Sequence, residues 1–258
     1  MPHTQIQLLT LAQLSGGQDW RLALAHDRDH HLLIWITRGQ GRLLLEGQRR
    51  GLGPHNALWI PARSLFAVEL GYQCAGHAVL IPEDSSLPLP DTPRQLRIRD
   101  VQAQAELSAL IEQTQREMQQ GRPLQQDAIE AQAALMSVWL RRQIMLDEHA
   151  AARPKAGIRL SARFCALVAR RTPKGGSMAE HAAELGVTPT HLTRAVKAAT
   201  GKSAAALLNE YSSHAARRLL GETDQTAAEI AAFLGFGSAA YFTRFMQQHS
   251  GLPPSKLR

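Results

Sequence analysis

The sequence predicts an α+β chain of two domains: a small β-barrel carrying a helical hairpin, then an all-α domain built on a duplicated helix pair. Three observations predict it. Turn residues cut the first third into short apolar runs, the apolar spacing becomes helical near residue 100, and the last third repeats itself. With 258 residues, 44% of them hydrophobic and 20% charged, the chain can bury a sizeable core, which excludes a mostly disordered protein.

The runs at residues 6–11, 20–25, 32–36, 41–46, 57–61, 66–70 and 77–81 read as strands. Gly39-Gln40-Gly41, Glu46-Gly47-Gln48, Gly53-Pro54-His55-Asn56 and Gly71-Tyr72 separate several of them with turn chemistry. Seven short strands without an intervening helix argue for a small barrel or jelly roll. Pro82, Pro88, Pro90 and Pro93 mark an extended loop leaving it. Leu107, Leu110, Ile111, Thr114 and Met118 then recur at helical spacing, as do Ile129, Met136, Leu140 and Ile144 after the Gly121-Arg122-Pro123 turn. These two amphipathic helices form an antiparallel hairpin, packed on the barrel or on a second copy. The expected division is 1–98 for the barrel, 99–148 for the hairpin, 149–157 for a linker and 158–258 for the helical domain.

Charge and cysteines narrow the function. Residues 1–157 hold 16 Lys+Arg and 16 Asp+Glu, whereas residues 158–258 hold 13 and 6, so the whole net charge of +7 lies in the last domain. A neutral body with a basic C-terminal module points to a polyanionic partner for that module. Cys74 and Cys165 form no CxxC or zinc quartet and read as buried thiols. No apolar run reaches membrane-spanning length, and residues 1–17 lack a signal-peptide pattern, so a cytoplasmic protein without membrane contact is expected.

Within the basic module, Ala182, Leu185 and Gly186 recur at Ala231, Leu234 and Gly235. Thr188, Leu192, Thr193, Arg194, Val196 and Gly201 recur as Ser238, Phe242, Thr243, Arg244, Met246 and Gly251. Each copy has one grammar. A two-turn helix ends at a glycine, a hydroxyl residue caps a second helix, and a further glycine stops it. Pro189 sits at the first position of its helix, where a missing N–H is harmless. Two short helices at a sharp glycine turn, the second presenting polar residues outward, describe a helix-turn-helix, with units at about 177–200 and 226–250. An ordinary helical hairpin is the alternative for either copy alone; two copies on the only basic part of the chain favour double-stranded DNA.

The run Ile230-Ala231-Ala232-Phe233-Leu234-Gly235-Phe236-Gly237-Ser238, with Tyr241-Phe242-Thr243-Arg244-Phe245 and Gly251-Leu252-Pro253-Pro254-Ser255-Lys256-Leu257-Arg258, resembles the DNA-binding domain of AraC/XylS-family bacterial transcription regulators. The resemblance covers about residues 177–258. It implies two helix-turn-helix units joined by a long helix near residues 203–220, whose stripe is Leu207, Leu208, Tyr211, Ala215 and Leu219. It further implies base reading by Thr190, Thr193 and Arg194 in the first unit and Ala240, Thr243 and Arg244 in the second. Arginine can bond guanine bidentately and threonine methyls can touch thymine. Lys197 and the helix starts at Thr188 and Ser238 would position the phosphates, with His191 and Gln247 flanking. An internal salt bridge is the alternative role for each arginine, and a plain surface position that for His191. The chain departs from the family at Ser212, with Ser213 and His214 beside it, where an arginine is usual, and at Met246 and Gln247.

Residues 32–36, Gly39-Gln40-Gly41 and the run Gly53 to Pro61 resemble the small cupin barrel found before this domain in many such regulators. Cupin enzymes hold a metal by histidines, which draws notice to His26, His30, His31, His55 and His77. Phe66 stands where the late histidine would be, and no His-x-His with a following Glu occurs, so neither metal nor cofactor is expected. An effector pocket in the barrel would involve His30, Trp35 and Trp59, with core packing or surface placement as the alternative for each. The expectation is a non-enzymatic, homodimeric transcription regulator with a small-molecule effector and RNA polymerase as further partners. A cupin metalloenzyme with a DNA-binding appendix, or a barrel that only dimerises or binds a protein, are the rival readings.

Overall fold

The computed structural model describes residues 5–148, 154–171 and 177–258. Its first half is a pair of antiparallel sheets with a helical hairpin on one outer face. The strands are β1 (Gln7–Thr10), β2 (His30–Arg38), β3 (Gly41–Leu45), β4 (Gln48–Leu52), β5 (Asn56–Ile60), β6 (Ala67–Leu70), β7 (Ala75–Pro82) and β8 (Arg94–Arg97). One sheet has the order β1-β7-β2-β5-β8 and the other β4-β3-β6. The expected barrel is therefore not closed: the two sheets stack, and the helical hairpin, not further strands, covers the larger one.

Alternation along the strands decides which layer each side chain enters. Leu32, Ile34 and Ile36 of β2 join Leu58, Ile60 and Leu80 against Leu43, Leu45 and Val68 of the facing sheet. Leu33, Trp35, Trp59, Val79 and Ile81 point the other way, into α3 (Val101–Gln120) and α4 (Gln125–Glu148). Asp100 caps α3 through the Ala103 amide, and Gly121 ends it in the left-handed conformation. Leu110 is buried in this layer, with Met118 packed at its margin, so both belong to packing within the chain.

Residues 20–25 are not a strand. Leu11–Ser15 forms α1, and Trp20–Ala23 forms the single turn α2. The apolar alternation there is too short to fix the period, and Leu22 reaches the sheet core from a helix instead. Strands β4 and β8 escape the apolar pattern because both are edges with mostly polar side chains.

The helical half follows the repeat. After α5 (Ala156–Arg170) come α6 (Met178–Glu184) and α7 (Pro189–Thr200), the long α8 (Ala204–Glu222), then α9 (Ala227–Phe233) and α10 (Ala239–Ser250). The supposed linker is helical from Ala156; its residues 149–153 lie outside the described residues. The first unit shares one apolar core with the outer face of the small sheet, where Leu44, Leu65 and Ala67 meet Leu160, Phe164 and Val168. At Gly47, with φ +63°, a Cβ would lie 2.4 Å from the Ser161 carbonyl carbon, and Ser161 Oγ donates to the Gly47 carbonyl at 2.7 Å. Only glycine permits that approach.

The long helix α8 binds the two halves together. Tyr211 donates its hydroxyl to Asp27 at 2.8 Å, and Arg21 pairs with Glu222 at 2.9 Å. Lys202 reaches Glu210 at 2.7 Å and Glu69 at 3.7 Å. His214 stacks on His26 with ring centres 4.2 Å apart. Two residues past Ser212, where the resemblance expected an arginine, this chain thus places a histidine contact to its own β half.

Candidate nucleic-acid interface

Each recognition helix is set by the same local devices. Ser177 and Glu180 form a capping box at α6, repeated by Thr226 and Glu229 at α9. Gly186 and Gly235 turn the chain with φ of +70° and +78°. Thr188 Oγ1 then accepts from the His191 amide at 3.2 Å, and Ser238 Oγ from the Tyr241 amide at 3.1 Å, fixing the starts of α7 and α10. Gly201 and Gly251 both end their helices at φ +77°.

One face of each recognition helix is consumed by packing. Leu192, Ala195 and Val196 are buried in α7, and Phe242, Phe245 and Met246 in α10. The opposite faces are open. Thr188, Thr190, His191, Arg194 and Lys197 are exposed and Thr193 is half-buried; Ser238, Ala240, Arg244 and Gln247 are exposed and Thr243 half-buried. Thr243 donates to the Ala239 carbonyl at 3.0 Å. No carboxylate lies within 4 Å of Arg194 or Arg244 among the described residues, so the salt-bridge alternative is not realised there. Two exposed guanidinium groups, each on a short helix whose back is anchored, can reach the edges of bases in a groove.

Tyr241 extends the second surface. It is 53% exposed next to Ala240 and lies outside the set of base-reading residues that the resemblance implies. The expected departures carry through: Met246 is fully buried, and Gln247 leaves the second helix one cation poorer than the first, which has Lys197.

Of the residues expected to line an effector pocket, Trp35 and Trp59 have other surroundings, while His30 lines a cavity of about 420 Å³ together with Arg28 and Arg218. Trp35 and Trp59 are buried between the large sheet and the hairpin. The indole of Trp35 donates to Ser108 Oγ at 3.3 Å, and that of Trp59 to the Pro90 carbonyl at 2.8 Å. His30 is buried with its Nδ1 2.7 Å from Asp29. The space between the sheets is filled by Phe66 and aliphatic side chains, and neither tryptophan belongs to that cluster. His31 accepts from the Ala62 amide, and no group of three or more His, Cys, Asp or Glu among the described residues could hold a metal. Burial pushes the Cys165 thiol up to about 12, and no cysteine among the described residues is in a disulfide.

A family described as a helix-turn-helix domain matches residues 181–258. No curated protein matches the sequence. Among solved structures, fatty-acid-bound ToxT from Vibrio cholerae is similar at 12% identity, with 99% of this chain and 95% of that chain covered and a TM-score of 0.45. A regulator with an AraC-type DNA-binding domain from Chromobacterium violaceum is 24% identical over 37% of this chain and 85% of that one, at a TM-score of 0.34. The C-terminal domain of AraT from Geobacillus stearothermophilus is 25% identical over 42% and 87%, at 0.37. No helix among the described residues is long and apolar enough to cross a membrane. With duplicated capped helix pairs, two outward arginines and the family match over the same residues, the chain carries at residues 181–258 a helix-turn-helix DNA-binding domain.

Proposed function

We propose that the chain is a sequence-specific regulator of transcription that binds double-stranded DNA through α7 and α10, responds to a small-molecule effector and acts as a homodimer beside RNA polymerase. In this reading residues 158–258 bind DNA, residues 1–98 sense, and residues 99–148 pair two subunits. Thr190, Thr193 and Arg194 read one half of the operator, and Ala240, Thr243 and Arg244 the other. Lys197 and the helix starts at Thr188 and Ser238 hold phosphates, flanked by His191 and Gln247. The observation that carries the reading is the pair of anchored recognition helices, each presenting an arginine without a carboxylate partner.

The test is selection of bound duplexes from a random pool by the full chain, followed by affinity measurement across a salt series. A recurring bipartite site is expected, with log affinity falling linearly as log salt rises. Enrichment of no sequence, or equal affinity at low and high salt, would remove the proposal.

A further inference from the structure

We propose that the cleft between the β half and helices α5, α8 and α9 is the effector site, and that its ligand is a small organic oxyanion carrying two or more negative charges. The cleft holds about 520 Å³, a volume suited to a metabolite. Arg28 and Arg63 enter it from the β half, Arg170 and Arg171 from the end of α5, and Arg218 from α8. Only Asp27 and Asp29 oppose them among the lining side chains. Asp27 already accepts from Tyr211, and Asp29 is engaged by His30. Arg63 pairs with Glu83, and Arg171 with Glu180 and Glu184.

Arg28, Arg170 and Arg218 have no carboxylate within 4 Å among the described residues. Of these, Arg28 is the most withdrawn from water. Its burial, with Arg21 and Arg218 facing it, drops its pKa to about 10. Among the described residues Arg28 donates its Nε only to His26 Nε2, at 3.4 Å, so two guanidinium groups from opposite halves, neither with a carboxylate partner, share one cleft and repel across the joint. A carboxylate or phosphate bridging them converts that repulsion into charge-assisted hydrogen bonds, for which the guanidinium fork is suited. A single carboxylate would leave cations unmatched, whereas a polycarboxylate or a phosphate ester would not. A second cavity of about 420 Å³ shares Arg28, Arg218 and His214 with the first and adds Arg21, whose carboxylate partner Glu222 also lines it. Occupancy would fix α8, and with it both recognition helices, against the β half.

The assignment rests on the proposed effector-controlled function, but binding is read without DNA, so failure of one is separable from failure of the other. Thermal unfolding of the full chain is followed at constant ionic strength with citrate, inorganic pyrophosphate, benzoate or glycerol. Citrate or pyrophosphate should raise the midpoint in a saturable way, while benzoate and glycerol should not. Citrate without pyrophosphate would assign a polycarboxylate, and the converse a phosphate group. Because a basic DNA-binding face also attracts polyanions, Arg218→Gln and Arg194→Ala are compared. Arg218 is exposed and unpaired, so its variant should fold, and it should bind the anion at least about tenfold more weakly. Arg194→Ala, expected to impair DNA binding, should bind the anion as the parent does. No stabilisation by either polyanion, or stabilisation abolished by Arg194→Ala and kept in Arg218→Gln, overturns the proposal.

Discussion

Arg194 and Arg244 occupy equivalent places in the repeat and have unequal neighbours. Beside Arg194 stand exposed His191 and Lys197; beside Arg244 stand Ala240, Tyr241 and Gln247. A bidentate arginine–guanine contact is worth roughly 1–3 kcal/mol of discrimination. Arg194→Ala should therefore erase readout of one half-site and most of the specificity, whereas Arg244→Ala weakens binding less and leaves the first half-site legible. Affinities on operators substituted in each half, at one salt concentration, check this; a uniform loss on every sequence contradicts it. Ser213 makes a different prediction. Its hydroxyl is buried in α8 with no hydrogen-bond partner, so it bears the desolvation penalty without return. Ser213→Ala should stabilise the protein by about 1 kcal/mol in denaturant unfolding.

At the scale of elements, legibility followed how local the physics is. The helix-turn-helix units were readable almost to the residue because caps, turn glycines and the buried stripe all lie within one short segment. The linking helix was readable as well, though its stripe serves two cores. Leu207, Leu208 and Tyr211 join the first unit, and Ala215 and Leu219 the second. Trp20–Ala23 was misread because four residues cannot separate a period of two from a period of 3.6. The open pairing of the sheets and the edge strands β4 and β8 depend on partners distant in sequence. The cationic cleft was invisible for the same reason, since Arg28 and Arg218 meet only after the two halves pack. The hairpin was legible as a hairpin, but not which face it uses. Leu110 and Met118 pack on the sheet, while Leu135 and Leu146 of α4 are 55% and 71% exposed. If subunits pair through the hairpin, Leu135→Glu with Leu146→Glu should give monomers in light scattering and leave unfolding nearly unchanged. Leu110→Glu should instead destabilise the monomer itself.

For the whole molecule, the joint between the halves is sensitive to acid. Burial holds both imidazoles of the stacked pair neutral, helped by Arg28 and Arg218 around both rings and by Arg21 beside His214. The pKa of His26 lies well below its ordinary value, and that of His214 falls to about 3. Because these values are depressed in the packed state, the joint is at full strength above the ordinary imidazole pKa near 6.5. It weakens as the pH falls from there toward about 3, because over that range separated rings bind protons that the packed rings do not. Limited proteolysis of the wild type should therefore speed up below about pH 6.5, and His214→Phe should flatten that dependence. The two reading units also differ in what supports them. The first shares its core with the β half, while the second builds its own from α8, α9, α10 and the C-terminal turn, with Phe242, Met246 and Ile230 at its centre. Backbone amides of α9 and α10 should thus exchange with deuterium sooner than those of α5 and α7, as a separate cooperative unit. One half of the operator would then be met by a surface that is already rigid, and the other by one that still opens and closes on its own clock.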